Sequence, residues 1–413
     1  MVTVFGLGFV GLTTALGFAH LGYEVYGIDV DADRKAILRQ GKLPFYEPHM
    51  EEVLQKHLDV NFHVTEDAAQ AVAKSEFIFF CVGTPYGKGG SADLTYLFQA
   101  LDTAVDAMVD ERFRVIVVKS TIPPSTTSEK IYPYIQGKGE KAARIGVANN
   151  PEFLREGHCW EDFIHADRIV LGCNDEKSRQ MLTKLYEPMA VPVKCVSHNT
   201  GEFIKYLSNT LLATMISYSN EMAQVADAIG GIETAEAFRI LHMDRRWGGC
   251  NMTSYVYPGC GYGGYCLPKD TNALLAQSKE KGFEPAILRE VIATNDHRAE
   301  TMARKIAGAL GEKTRIGILG LSFKPESDDV RDTPAARIIR QLNEMGYDDI
   351  LAYDPVAEGE FARVYPELRL TMCSNRMDVY EKSDVVAIVT VWEEFRDITE
   401  KVTVPVVDCR YML

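Results

Sequence analysis

The chain has 413 residues, of which 46% are hydrophobic and 25% are charged, the balance of a soluble globular protein with two or three domains. Its 44 basic and 58 acidic residues give a net charge of −14, which disfavours nucleic acid and anionic membranes as partners. The nine cysteines form no CxxC pair, and no apolar run approaches the ~20 residues of a membrane span. We therefore expect a cytoplasmic protein without a metal site.

The N-terminal segment is typical of a strand, a glycine-rich turn, a helix and a second strand. The apolar run Val2–Phe5 leads into Gly6, Gly8 and Gly11, and the next strand ends in Asp29. These glycines allow a tight turn, the approach of a pyrophosphate and close helix packing, and Asp29 would bind ribose hydroxyls. The negative charge of Asp29 would repel the 2′-phosphate of NADP and so favours NAD, whereas the nearby Arg34 is an argument for NADP. The predicted cofactor-binding residues of this segment are Gly6, Gly8, Phe9, Val10, Gly11, Asp29 and Arg34.

Further short apolar runs alternate with helical segments and predict a mostly parallel, doubly wound sheet. They are Phe77–Val82, Val115–Val118, Ile145–Ala148, Ile169–Leu171 and Val191–Val196. The opening pattern returns at Arg315–Gly320, and a later strand ends in Asp354 as the early one ended in Asp29. This second turn lacks the third glycine, so we expect it to bind something other than a dinucleotide.

The centre of the chain is predicted to be helical. Apolar residues at three- and four-residue steps indicate one long helix over 199–229, where Asn199 and Glu202 resemble a capping box. A Gly- and Tyr-rich loop follows over 248–264, and helix returns over 270–310. The predicted fold class is α/β, with two Rossmann-like doubly wound domains joined by a central helical region with one long helix. The predicted domain boundaries are 1–197, 198–305 and 306–413.

One cysteine differs from the others, which we interpret as small buried hydrophobic residues. Cys266 lies in a glycine-rich loop at a predicted helix start, with Lys269 one turn further on. A helix N-terminus and a neighbouring cation both lower the pKa of a thiol. A thiolate beside a bound nicotinamide indicates attack on an aldehyde, followed by hydride transfer.

Three other pairs carry weaker signals, and for each alone a structural explanation is at least as good. Glu152 and Glu156 follow a strand but suit a charged first helical turn. Lys205 and Asn209 lie four residues apart and so share one helix face, which could equally be a solvated surface. Lys324 and Arg331 follow the second glycine turn, where they could bind phosphate or be surface charges.

Read together, these segments resemble the UDP-glucose/GDP-mannose dehydrogenase family over essentially the whole chain and in order. The motifs are the Gly6 to Gly11 turn, Tyr46-Glu-Pro48, Gly83-Thr-Pro85, Ser120-Thr-Ile-Pro123, Asn150 to Gly157, Lys205-x-x-x-Asn209, Gly261 to Asp270, Gly320 to Lys324, and Asp329-Val-Arg331.

The resemblance implies an NAD-dependent oxidoreductase that performs two oxidations. The C6 alcohol of a nucleotide sugar would become an aldehyde, then a thioester on Cys266, then a carboxylate, with one NAD consumed at each oxidation. The segment from Gly261 to Asp270 favours UDP-glucose, and GDP-mannose and UDP-N-acetylhexosamines are the alternatives. The resemblance also implies a UDP-sugar partner, a homodimer or higher homo-oligomer, and a place in polysaccharide biosynthesis.

The resemblance assigns roles residue by residue. Its implied catalytic residues are Cys266, Lys205, Asn209, Asp270, Glu152 and Thr121. Further implied cofactor contacts are Gly83, Thr84, Thr121, Glu156, Lys269 and Arg331. The implied substrate contacts are Glu152, Phe153, Leu154, Arg155, Glu156, Lys205, Asn209, Tyr255, Tyr257, Gly259, Gly263 and Lys324. Asp244-Arg-Arg246 resembles the family segment whose arginine reaches the other subunit. The chain departs from the family there, because an apparent four-residue insertion follows and Cys250 stands where that arginine is expected.

Two other classes of protein remain as alternatives. A two-electron hydroxyacid-type dehydrogenase also joins a Rossmann domain to helices but needs no catalytic cysteine. A non-catalytic nucleotide-sugar sensor on the same fold would be expected to have lost Cys266, Lys205 or Asp270, and all three are present.

Overall fold

The computed structural model describes residues 1–85, 87, 90–244 and 255–413. These fall into two compact units, Met1–Ser208 and Asn209–Leu413. Arg246 and the first part of the loop predicted over 248–264 lie outside the described residues. Within the described ranges, no helix combines the length and the apolar character that a bilayer crossing requires.

The first unit is built on an eight-stranded sheet. Its strands are β1 (Val2–Phe5), β2 (Val25–Ile28), β3 (Phe62–Val64), β4 (Phe77–Phe80), β5 (Arg114–Val118), β6 (Ile145–Asn149), β7 (Ile169–Cys173) and β8 (Val193–Val196). The strand order is β3-β2-β1-β4-β5-β6-β7-β8, and neighbours are parallel except for the antiparallel pair β6 and β7. The helices are α1 (Phe9–His20), α2 (Ala32–Arg39), α3 (Met50–His57), α4 (Ala68–Lys74), α5 (Thr95–Asp106), α6 (Tyr132–Gln136), α7 (Cys159–Ile164), α8 (Glu176–Tyr186) and α9 (His198–Ile229), of which α9 continues into the second unit.

Both faces of this sheet are buried, which explains its continuous apolar strands. On β4, Phe77 and Phe79 belong to one apolar cluster, whereas Ile78 and Phe80 belong to another. Successive strand side chains point to opposite faces, so the two clusters cover opposite sides of the sheet. The loops at the carboxyl ends of the strands are thereby fixed on a rigid support.

The long helix predicted over 199–229 is confirmed, but its predicted capping box is wrong. The helix begins at His198, and the side chain of Ser197 accepts a hydrogen bond from the backbone N–H of Thr200 at 3.3 Å. Glu202 does not fold back on the helix start. Its carboxylate instead accepts hydrogen bonds from the backbone N–H and the hydroxyl of Thr127, at 2.7 and 2.5 Å.

The second unit contains a five-stranded parallel sheet and the remaining helices. Its strands are β9 (Ile316–Leu319), β10 (Ile350–Tyr353), β11 (Thr371–Met372), β12 (Val385–Ile388) and β13 (Val406–Asp408). Its helices are α10 (Thr234–His242), α11 (Cys266–Glu280), α12 (Ala286–Leu310), α13 (Pro334–Glu344), α14 (Glu358–Val364), α15 (Arg376–Lys382) and α16 (Ile398–Lys401). The predicted helical stretch over 270–310 is two helices, because the chain turns at Gly282, with a φ of 84°, and restarts after Pro285.

The strand order β11-β10-β9-β12-β13 repeats the order of the first five strands of the other sheet. The α/β class, with two Rossmann-like units and helices at the centre of the sequence, is therefore confirmed. The three-domain division at 197/198 and 305/306 stays a prediction.

Candidate active site

The glycine-rich turn between β1 and α1 has the geometry of a phosphate cradle. Gly6 has a φ of 88°, and a Cβ on Gly11 would lie 1.7 Å from the Gly6 carbonyl oxygen, so both positions require glycine. A Cβ on Gly8 would meet nothing within 4 Å, which leaves open space above the turn. No described side chain caps the first turn of α1. Its backbone N–H groups and dipole therefore suit a pyrophosphate.

The acidic residue at the end of β2 is fixed against this turn. The Asp29 carboxylate is buried and accepts hydrogen bonds from the backbone N–H of Leu7 at 2.6 Å and of Asp31 at 2.9 Å. The Arg34 guanidinium lies 3.0 Å from the same carboxylate. The turn and the acid are thus held as one piece, with a negative charge where an adenosine ribose would lie.

Two predicted cofactor contacts lie together at the carboxyl ends of β4 and β5. The hydroxyl of Thr84 donates a hydrogen bond to the backbone carbonyl of Thr121 at 2.8 Å. Thr121 borders a cleft at this edge of the sheet. The cleft is lined by Val118, Ser120, Thr121, Ile122, Asn149, Pro151, Glu202 and Lys205.

A buried ion pair joins Lys205 of this cleft to Glu152. The Lys205 ammonium lies 2.8 Å from the Glu152 carboxylate, and the two side chains are 6% and 5% exposed. Burial raises the pKa of Glu152, but the Lys205 charge and its hydrogen bond outweigh burial, so the pKa lies below its ordinary value. The carboxylate is ready to accept a proton, and the ammonium is desolvated, which strengthens its action on a nearby oxyanion.

The predicted substrate segment around Glu152 is an irregular loop, not the first turn of a helix. The ring of Phe153 packs under Arg168 at 4.4 Å, and the backbone N–H of Leu154 donates to Glu152 at 2.7 Å. Arg155 forms an ion pair with Asp162 at 2.6 Å. These contacts fix the loop.

In the second unit, Cys266 is the first residue of α11, as predicted. Behind it, the Lys269 ammonium lies 2.5 Å from the Asp270 carboxylate, and the Asn209 side-chain amide donates to the same carboxylate at 2.6 Å. Lys269 is 2% exposed and Asp270 is 0% exposed. Burial lowers the pKa of Lys269, but the charge of Asp270, with a smaller contribution from Cys266, outweighs burial and raises it. A fixed positive charge therefore acts on the thiol.

The turn after β9 packs on the loop that carries Cys266. A Cβ on Gly264 would lie 3.0 Å from the ring of Phe323, and the Lys324 ammonium lies 5.5 Å from that ring's centroid. Arg331 lies 4.6 Å from the ring of Tyr265, the residue before Cys266. The structure thus brings the two predicted cations of this turn close to the thiol's own loop.

Two predicted substrate glycines have structural partners of their own. The backbone N–H of Gly259 donates to Asn220 at 2.7 Å, and its carbonyl accepts from Arg298 at 2.6 Å. A Cβ on Gly263 would lie 2.4 Å from the Asp332 carbonyl oxygen, so this glycine permits close backbone packing. Nearby, the Tyr257 hydroxyl donates to the Tyr411 carbonyl at 2.8 Å.

Comparison with known proteins agrees with this geometry. Models of the UDP-glucose/GDP-mannose dehydrogenase family match residues 1–190 (NAD binding domain), 199–297 (central domain) and 317–413 (UDP binding domain). The chain belongs to this family. It is therefore an NAD-dependent oxidoreductase, and the cradle formed by Gly6, Gly8 and Gly11 fits that cofactor.

Individual family members are similar over most of their length. The chain is 36% identical to the UDP-glucose 6-dehydrogenase of Pseudomonas aeruginosa, covering 95% of this chain and 88% of that one. The solved UDP-glucose dehydrogenase of Pyrobaculum islandicum is 35% identical, with a TM-score of 0.91 and coverage of 99% and 94%. The UDP-D-ManNAc dehydrogenase of Pyrococcus horikoshii is 25% identical, with a TM-score of 0.85 and coverage of 100% and 96%.

Three charged residues that the sequence analysis did not assign to a site are Glu47, Lys119 and Arg410. Glu47 lies in the Tyr46-Glu-Pro48 motif, and its buried carboxylate accepts hydrogen bonds from the backbone N–H groups of Gly157 and Cys159 at 2.8 and 2.7 Å. Arg410 lies 3.2 Å from the position of a Cβ on Gly259. Lys119 is buried at the end of β5. Lys119 and Arg410 follow parallel strands at the end where such sheets bind ligands, which is the signal that was available.

Proposed function

We propose that the enzyme oxidises the C6 hydroxyl of UDP-glucose to a carboxylate, giving UDP-glucuronate, with two NAD consumed for each sugar. The observation that carries this proposal is the position of Cys266, at the first residue of α11 and beside the buried Lys269–Asp270 pair. A two-electron dehydrogenase would not need an activated thiol. The names of the relatives and the segment from Gly261 to Asp270 support UDP-glucose over GDP-mannose and UDP-N-acetylhexosamines.

NAD supplies the hydride acceptor at each of the two oxidations. The first unit would hold it through the glycine turn, Asp29, Thr84 and Thr121. Glu156, Lys269 and Arg331 are proposed as further contacts. For the second oxidation, Cys266 must reach the sugar carbon that faces the nicotinamide ring.

Besides the NAD that would accept the hydride, the proposed covalent route consumes only water. The sulfur of Cys266 would add to the aldehyde carbon while the thiol proton passes to the aldehyde oxygen, which gives a thiohemiacetal. Transfer of its hydride to the second NAD and release of its hydroxyl proton would leave a thioester. Water then attacks the thioester carbon while Glu152 takes a proton. The carbon–sulfur bond breaks, and its electron pair returns to the sulfur.

Two side chains are proposed to stabilise the oxyanions formed on this route. Lys205 and Asn209 lie one turn apart on α9. The Asn209 amide is held by its hydrogen bond to Asp270, and the Lys205 ammonium by Glu152. Preorganised donors of this kind need no reorganisation when charge develops, so each contributes several kcal/mol in favourable cases.

The nucleotide is proposed to lie against the second unit. Lys324 would meet the diphosphate, and Tyr255, Tyr257, Gly259 and Gly263 would line the nucleotide side. The loop Phe153 to Arg155 would contact the sugar. A cytoplasmic role in polysaccharide biosynthesis follows from this proposed product.

We also propose a homodimer that pairs through α9. In the second unit, partly or fully exposed apolar residues on this helix recur at alternating four- and three-residue steps, the spacing of a helix-pairing seam. They are Leu211, Met215, Tyr218, Met222, Val225 and Ile229. Analytical ultracentrifugation of Tyr218→Glu tests this, and an unchanged sedimentation coefficient for a dimeric wild type would remove α9 from the interface.

One assay separates the alternatives. NADH release is measured for a panel of UDP- and GDP-sugars at limiting sugar concentration. The proposal expects two NADH for each UDP-glucose and lower catalytic efficiency with the other sugars. One NADH for each sugar indicates a two-electron dehydrogenase, and binding of sugar without NADH formation indicates a sensor.

A further inference from the structure

A buried lysine that the mechanism does not use lies beside the Glu152 loop. Lys119 follows β5 directly, is 6% exposed, and donates from its ammonium to the side-chain oxygen of Asn150 at 2.9 Å. The same oxygen accepts from the hydroxyl of Tyr186 at 2.6 Å, and the Asn150 amide donates to the Val170 carbonyl at 2.8 Å. Asn150, two residues before Glu152, is therefore held by three contacts, and one of them ties Lys119 to the loop that carries the carboxylate.

Two buried cations act on one carboxylate here. Burial raises the pKa of Glu152, but Lys205, the backbone N–H of Leu154 and the charge of Lys119 outweigh it, so the pKa falls below its ordinary value. Burial also lowers the pKa of Lys119, and the negative charge of Glu152 offsets only part of that effect. Glu152 thus has a second cationic neighbour that makes no direct ion pair with it in the described part of the chain.

We propose that Lys119 is a positioning residue, supplying the second positive charge that keeps Glu152 ionised while Lys205 bonds the reacting oxygen. The need arises because Lys205 has two tasks. When its ammonium also serves a substrate oxyanion, its hold on the Glu152 carboxylate weakens, and a buried carboxylate without a counter-ion would take up a proton. This inference rests on the proposed function, in which Glu152 accepts the proton of the attacking water.

Several other titratable groups face this cluster and bear on its pH dependence. They are Cys81 after β4, Glu156 in the loop before α7, Cys159 on α7, Tyr186 on α8 and Glu202 on α9. Burial raises the pKa of Cys81 to about 12 and the pKa values of Cys159 and Tyr186 well above their ordinary values, so these three stay neutral. Burial raises the pKa of Glu202 to about 7, so Glu202 needs its own control.

The test is the pH profile of acid formation by Lys119→Met, which is close in shape but uncharged. Loss of a nearby cation raises a carboxyl pKa by about one unit or more, so the acid limb of kcat should move to higher pH by that amount. Acid formation should be about 10-fold slower below the limb and should converge with the wild type above it. Mass spectrometry of quenched reactions should show the thioester on Cys266 accumulating at low pH.

Matched variants separate charge from structure. Tyr186→Phe removes the other donor to Asn150 without changing charge, so it should leave the acid limb in place. Lys119→Arg should restore the wild-type limb, and the shift caused by Lys119→Met should persist in a Glu202→Gln background. If Lys119→Met does not fold, Lys119→Gln carries the same expectation.

Two variants distinguish an error in the assigned role of Glu152 from an error in the proposed role of Lys119. If Glu152→Gln hydrolyses the thioester at the wild-type rate, the assigned role of Glu152 is wrong. If Glu152→Gln blocks hydrolysis but Lys119→Met keeps the wild-type acid limb, only the inference about Lys119 is overturned.

Discussion

The buried pair behind the nucleophile gives a sharp stability prediction. Asp270 is fully buried, and its carboxylate bonds both Lys269 and Asn209. The substitution Asp270→Asn keeps the shape and a partner for Asn209 but leaves the Lys269 ammonium buried without its counter-charge. Removing one partner of a buried ion pair costs about 3–5 kcal/mol. For a unit of this size, that corresponds to a fall in melting temperature of about 6–20 °C.

The pH dependence of this loss has a definite sign. In the wild type the pKa of Lys269 is raised above its ordinary value of 10.5, so the lysine is protonated in both folded and unfolded states below that pH. Its contribution is therefore constant between pH 6 and 9 and is lost only as pH rises through the folded pKa. Asp270→Asn removes the largest influence that opposes burial, so burial should lower the pKa of Lys269. The folded variant then binds fewer protons than the unfolded one, so its stability rises with pH.

Differential scanning calorimetry of the purified enzyme measures both effects. The deficit of Asp270→Asn should be larger at pH 6 than at pH 9. Adding Lys269→Met removes the stranded charge and should recover about half of the lost stability or more. The exposed pair Arg363–Glu360 is the matched control, and Glu360→Gln should cost within about 1 kcal/mol. A single variant as stable as the control, or a double variant no better than the single, would refute the reasoning.

Three further predictions concern the reaction. Cys266→Ser should retain UDP-glucose and NAD binding but lose turnover to the acid, because a hydroxyl ionises far less readily than a thiol. The control variant Cys195→Ser should be active. Full acid production by Cys266→Ser would contradict the covalent route. Asp29→Asn should reduce the preference for NAD over NADP measured as a ratio of kcat/KM, and an unchanged ratio would count against its role. Lys324→Ala should raise KM for the nucleotide sugar about 10- to 150-fold with little change for NAD, and an effect no larger than that of the exposed Lys313→Ala would remove it from the site.

The parts of the site that depend on local sequence were predictable. The glycine turn, Asp29 at the end of β2 and Cys266 at the start of α11 follow from residue types at short spacing. These features depend on backbone geometry within one or two turns of chain. The fold class was predictable for the same reason, because the second unit repeats the short-range pattern of the first.

The contacts that give these residues their chemistry were not predictable. Glu152 meets Lys205, and Asn209 meets Asp270, across more than 50 residues of sequence. Glu202 shows the limit most clearly, since its spacing from Asn199 suggests a local cap. A partner supplied by tertiary packing, Thr127, takes its carboxylate instead. Residue spacing predicts hydrogen-bond partners that are close in sequence, whereas the partners of buried polar side chains are set by tertiary packing.

The two Rossmann-like units also differ at the turn where a dinucleotide would bind. In the first, α1 begins at Phe9, directly after the open Gly8 position. In the second, the residue at the matching place is Ser322, whose hydroxyl lies 3.2 Å from the Asp354 carboxylate. That carboxylate, at the position equivalent to Asp29, also accepts from the backbone N–H of Leu321 and from the indole of Trp392. Asp354 is 1% exposed, and these internal donors occupy its carboxylate.

The helix after the second glycine turn starts later in the chain than α1 does, and its N-terminus is capped internally. It begins only at Pro334, and the hydroxyl of Thr333 accepts a hydrogen bond from the backbone N–H of Ala335, which occupies the anion-binding end of α13. The chain between the turn and this helix instead forms a loop that carries Lys324 and Arg331. Because the dipole and the acid are both engaged internally, attraction for a phosphate in this unit must come from side-chain cations. One strand order therefore supports two binding modes, backbone recognition of a dinucleotide in the first unit and side-chain recognition of a nucleotide diphosphate proposed for the second.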